Sequence, residues 1–83
     1  MRVRVRYFAS LRERLGPEEA VELPEGSSVA ALRVQLVARG EAHAEVLAAG
    51  RAVRCALNQR MCAETELLAE GAEVAFFPPV TGG

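Results

Sequence analysis

The chain predicts an α+β fold in which one main helix packs on one face of a mixed sheet. Three observations carry this reading. Apolar and polar residues alternate strictly from Arg2 to Phe8, Val29, Leu32 and Leu36 recur at helical spacing, and alternation returns over residues 52–57 and 73–77. The order strand, strand, helix, strands is that of a roll.

The first strand places Val3, Val5 and Tyr7 on one face and Arg2, Arg4, Arg6 and Phe8 on the other. Leu11 and Leu15 lie one helical turn apart before Gly16-Pro17, so a short helix leads to the second strand, Ala20 to Leu23, with Val21 and Leu23 inward. Pro24-Glu25-Gly26 ends it. Ser27 or Ser28 caps the main helix, and Gly40 stops it. Residues 41–50 are alanine-rich and read either as a second short helix or as a loop. A strand over 52–57, a turn at Asn58-Gln59 and a last strand from Glu73 to Phe77, introduced by Glu70-Gly71, complete the order.

Eighty-three residues without internal repeat or linker are expected to form one domain, 1–83, with a single modest core. A carrier or binding role suits that size better than a self-contained enzyme. Ten basic and eleven acidic residues leave a net charge of −1, which gives no pull toward nucleic acid. No segment approaches the roughly 18 apolar residues of a membrane helix, and arginines stand where a signal peptide has its apolar region. The expectation is a soluble, cytoplasmic protein. All the basic residues are arginine and all the acids glutamate; without lysine, no side-chain amine can accept another copy of the chain.

Cys55 and Cys62 are neither a C-x-x-C pair nor half of a visible ligand set, and a ferredoxin-type cluster needs four thiolates. Cys55 alternates with Val53 and Leu57 and reads as a small buried hydrophobe, whereas Cys62, near the turn, reads as more exposed. His43 is the single histidine, has no partner at ligand spacing and is given no role. No metal site and no tightly bound cofactor is expected.

The last eleven residues carry the functional signal. Two prolines, Pro78 and Pro79, follow the strand that ends in Phe76-Phe77; neither can donate to a ladder, so they stop it and direct the chain outward. Gly82-Gly83 then presents a tail with no Cβ, able to pass a narrow channel in any backbone geometry. A carboxylate is a poor electrophile until activated, for instance as an acyl adenylate in another protein's nucleotide site. A slim tail suits delivery to such a site.

Glu73-Val-Ala-Phe-Phe-Pro-Pro-Val-Thr-Gly-Gly83 resembles the C-terminus of the small, sulfur-carrying subunits of molybdopterin synthase, a ubiquitin-like family. Val3 to Ala9 with Leu11-Arg12-Glu13, and Ala56-Leu-Asn-Gln59, fall where that family has its first and middle strands, so the resemblance spans nearly the whole chain. It implies a ubiquitin-like β-grasp, with the first and last strands adjacent and parallel in the middle of the sheet. It implies that an ATP-dependent activating enzyme adenylylates Gly83, that a sulfurtransferase replaces the adenylate with sulfur, and that the tail enters the large synthase subunit. There the thiocarboxylate delivers sulfur to a pterin precursor for the dithiolene of molybdopterin. On this resemblance Gly83 and Gly82 are the reacting end, while acid, base and phosphate-binding groups belong to the partner. This chain is then a carrier subunit without its own active site.

If Val74 and Phe76 join Val3 and Val5 in the core, Phe8 and Phe77 emerge together on the other face, rimmed by Arg2, Arg4 and Arg6. The resemblance adds Met61 to this patch. The expected partner-binding residues are therefore Phe8, Met61, Phe77, Pro78, Pro79, Val80 and Thr81. Three rival readings share parts of this pattern: a carrier for another, thiamine-type pathway, a protein modifier that ends as an amide on a target lysine, and an interaction module that leaves Gly83 unmodified.

Overall fold

In the computed structural model, which describes residues 1–79, the chain runs β1 (Arg2–Tyr7), α1 (Ala9–Leu15), β2 (Glu18–Glu22), α2 (Val29–Val37), α3 (Glu41–Leu47), β3 (Arg54–Leu57), β4 (Arg60–Cys62) and β5 (Glu73–Phe77). The expectations for Val80, Thr81, Gly82 and Gly83 lie outside the described residues. The sheet has five strands in the order β2-β1-β5-β3-β4. β1 and β5 are adjacent and parallel, with Val5 opposite Val74 and Tyr7 opposite Phe76, while β1–β2, β3–β5 and β3–β4 are antiparallel.

The alternation in β1 does what its period dictates. Val3, Val5 and Tyr7 are buried and Arg2 and Arg4 are exposed. β2 starts two residues earlier than the apolar pattern indicates, because the ladder to β1 continues to Arg6 opposite Glu18 beyond the last apolar pair. Ser28 caps α2, its hydroxyl accepting from the Ala31 amide at 3.1 Å. Val29, Leu32 and Leu36 enter the core with Val21, Leu23, Leu47, Val74 and Phe76, all in one cluster.

Residues 41–47 form a helix, which settles the ambiguity left by their alanine-rich composition. Its fixing device is Arg33, the one buried charged residue among those described. Arg33 Nε donates to the Leu47 carbonyl at 2.6 Å, Nη2 donates to the carbonyls of Ala48 (2.9 Å) and Arg51 (3.0 Å), and Nη1 pairs with Glu64. The end of α3 and the loop to β3 are thus tied to α2 through one guanidinium, whose planar fork suits several simultaneous acceptors.

Asn58-Gln59 forms the expected turn, at φ values of 49° and 70°. Two successive positive φ values are what a two-residue hairpin with right-handed strand twist demands. The strand after it, β4, has no apolar alternation of its own and is held by its ladder to β3. The Asn58 amide donates to the Glu73 carbonyl (2.8 Å) and its Oδ1 accepts from the Glu73 amide (2.9 Å), which joins this turn to the start of β5.

Candidate functional site: the open face of the sheet

Register fixes which side chains share the face away from α2. One row across the sheet runs Met61, Ala56, Ala75, Arg6 and Glu18, each opposite the next. The neighbouring row places Arg54 opposite Phe77. Phe8 lies beside Phe77 because the Phe8 amide extends the β1–β5 ladder, donating to the Phe76 carbonyl at 3.2 Å. The expected aromatic patch is therefore present, with Phe8 exposed and Phe77 half-buried.

Between the aromatics and Met61 the floor is alanine. Ala56 and Ala75 face each other across β3 and β5 and are buried, so the surface is low in the middle and raised at Phe77 and at Met61, which is 55% exposed. The result is a shallow apolar depression with the exposed Met61 thioether as an adaptable edge. Its edge is charged. Arg6 lies over the Phe8 ring, 5.2 Å from its centroid, and also reaches Glu73 at 3.9 Å. Arg2, Arg4 and Arg54 make no ion pair among the described residues.

Strand alternation thus placed Phe8, Ala75 and Phe77 on one face, the family resemblance added Met61, and Arg54 and Ala56 were missed. Alternation shows that Arg54 and Ala56 share a face within β3, but which residues they meet across the sheet is decided by the register of β3 against β4 and β5. Pro78 and Pro79 follow β5 and are half-buried. Pro78 borders a groove of about 270 Å³ shared with Ser10, Leu11, Val46, Arg51, Ala52 and Val53, so the chain leaves the sheet against the start of α1 and the loop before β3.

His43, given no role from sequence, belongs to a polar cluster on the opposite, core side. Its Nε2 is 2.7 Å from Glu19 Oε2, which also accepts from the Tyr7 hydroxyl at 2.6 Å, and Arg39 pairs with the other oxygen. Burial, followed by the hydrogen bond to Glu19, pushes the Tyr7 phenol far above its usual range, so it remains a donor. For Glu19 burial acts upward, but the hydrogen bonds from Tyr7 and His43 and the charges of His43 and Arg39 together hold the carboxyl below its ordinary value. This cluster joins β1 and β2 to α3 and is remote from the open face. Among the described residues no group of three or more His, Cys, Asp or Glu side chains could hold a metal ion. No helix there is long and apolar enough to cross a membrane.

A mixed sheet with a central parallel pair formed by the first and last strands, one main helix across one face and an apolar depression on the other defines a ubiquitin-like β-grasp protein. The chain belongs to the ThiS family, whose sequence model matches residues 5–83. It is 37% identical to the molybdopterin synthase sulfur carrier subunit of Escherichia coli, over 98% of this chain and 99% of that one. With the subunit of the same name from Haemophilus influenzae it shares 38% identity, over 95% and 96% of the two chains. Among solved structures it resembles small archaeal modifier protein 1 of Haloferax volcanii, at TM-score 0.77 and 26% identity over 95% of this chain and 98% of that one. A chain in the complex of subunits 1 and 2 of the molybdopterin-converting factor from Helicobacter pylori matches at TM-score 0.71 and 26% identity over the full length of both.

Proposed function

We propose that this protein is the sulfur carrier of a cytoplasmic molybdopterin synthase, holding sulfur as a thiocarboxylate on Gly83 and docking on the large subunit through the open face of its sheet. The observation that carries the reading is the apolar depression between Phe77 and Met61, built on the strand that leads into the tail, in a chain alike over its full length to molybdopterin synthase sulfur carrier subunits. The complex of subunits 1 and 2 of the H. pylori factor supports a large synthase subunit as partner.

The division of labour follows from what the chain has. ATP, bound by the activating enzyme, supplies the adenylate; the Gly83 carboxylate attacks its α-phosphorus and pyrophosphate leaves. Sulfur delivered at the sulfide level by a sulfurtransferase then attacks the carbonyl carbon and AMP leaves, so the thiocarboxylate forms without a change of oxidation state. Gly82 gives that carbon a slim approach, and Pro78, Pro79, Val80 and Thr81 add contacts to the partner. Phe8, Met61 and Phe77 hold the carrier on its partner, and the catalytic groups are the partners' own.

Adding one alanine after Gly83 tests the assignment. The carboxylate then moves one residue beyond its place, so reconstituted dithiolene synthesis with the large subunit, activating enzyme, ATP and sulfur donor falls to background while binding to the large subunit is kept. Undiminished synthesis overturns the assignment. A second reading, attachment of Gly83 to other proteins, is favoured by the likeness to small archaeal modifier protein 1 of H. volcanii. It predicts amide-linked conjugates in cell extract that survive reducing agents.

A further inference from the structure

Cys55 and Cys62, unrelated in the sequence reading, face each other directly across β3 and β4. Their sulfurs are 3.7 Å apart, and the Cys55 thiol lies 3.4 Å from the Cys62 carbonyl, to which it donates. Both are free thiols, Cys55 buried and Cys62 half-buried. The pair lies on the core side of the sheet, in the row that continues through Phe76 to Tyr7. Residues directly opposite in an antiparallel ladder have Cα atoms about 4.5 or 5.5 Å apart. Both spacings fall inside the roughly 4.4–6.8 Å window of a disulfide. The Cα spacing therefore suits a bond, and closure requires side-chain rotation together with a small approach of the Cβ atoms from the roughly 4.5–5.5 Å of opposed residues toward the roughly 3.5–4.5 Å of a disulfide.

We propose that Cys55 and Cys62 form a dithiol–disulfide site that closes within one chain when the protein meets a low-molecular-weight disulfide. The more accessible Cys62 reacts first: its thiolate attacks one sulfur of the external disulfide, a mixed disulfide forms and one small thiol leaves. Cys55 then loses its proton, attacks the Cys62 sulfur and expels the second small thiol. Two protein thiols are oxidised by two electrons in all, and one external disulfide is reduced to two thiols. Burial, with the hydrogen bond to Cys62 next in weight, pushes the Cys55 thiol up to about 12, so closure is the slow step at neutral pH and quickens as pH rises.

The bond has a structural consequence on the other side of the sheet. β4 is a three-residue edge strand whose only sheet neighbour among the described residues is β3, and Met61 stands on it next to Cys62. Closing the disulfide fastens that edge covalently and holds Met61 at the rim of the open face.

The test uses the full chain equilibrated without oxygen in glutathione buffers from fully reduced to fully oxidised, quenched in acid, alkylated in denaturant and weighed intact. The expected result is that both thiols become unavailable together, with loss of two hydrogens and no retained glutathione, and that the oxidised form melts higher by roughly 5–10 °C. Cys55→Ser should halt at a stable glutathione adduct on Cys62. Two free thiols in fully oxidised buffer, a lasting glutathione adduct on the unmutated chain, a covalent dimer, or a lower melting temperature after oxidation would each overturn the proposal.

Discussion

Glu19 does more than its place in an amphipathic strand suggests. Its carboxylate accepts from Tyr7 and His43 and pairs with Arg39, bringing groups from β1, α3 and the turn after α2 to one point. Because its folded-state value is depressed, it contributes stability above the ordinary 4.5, and that contribution is lost as pH falls through the lower, folded value. Chemical denaturation at successive pH values should therefore show this contribution intact near neutrality and declining below about pH 4.5. Glu19→Gln should cost about 1–3 kcal/mol at pH 7 and flatten part of that acid limb. The cluster was not legible in sequence, since Tyr7, Glu19 and His43 are separated by whole elements and only the fold supplies their neighbourhood.

The elements divide by whether their information is local. β1, α2 and β5 were readable because period 2 or helical spacing, a serine cap and bounding glycines and prolines all lie within each segment. α3 and β4 were not, because each is determined by a neighbour. The end of α3 is secured by Arg33, and β4 by its ladder to β3. Arg33→Leu tests this for α3: it keeps an apolar stem but leaves the carbonyls of Leu47, Ala48 and Arg51 without that donor. Burying unsatisfied acceptors and freeing Glu64 should cost about 2–5 kcal/mol, read as a lower denaturation midpoint. Arg33→Lys should recover only part of the loss, having no planar fork. The same logic applies to the open face. Phe8, Ala75 and Phe77 could be placed from strand alternation and Met61 from the family resemblance, whereas Arg54 and Ala56 became visible only when β3 acquired a register against β5.

At the scale of the whole molecule the two sheet faces have separate work. The core face, under α2, holds the fold together, and the open face is left with an apolar depression bordered by arginines. Phe77→Arg should therefore leave the melting temperature nearly unchanged while weakening binding to the large synthase subunit by 30-fold or more, about 2 kcal/mol, through a desolvated unpaired charge. Val34→Arg, on the exposed flank of α2, should leave that affinity as it is. Equal effects of the two changes in a titration calorimeter would mean that docking does not use the open face. The central claim concerns the tail, and intact-protein mass spectrometry addresses it most directly. After incubation with the activating enzyme, ATP and a sulfur donor, the account predicts a mass change equal to one oxygen replaced by one sulfur, located at Gly83 by fragmentation; an unchanged mass with an activating enzyme proven on its own carrier would contradict it.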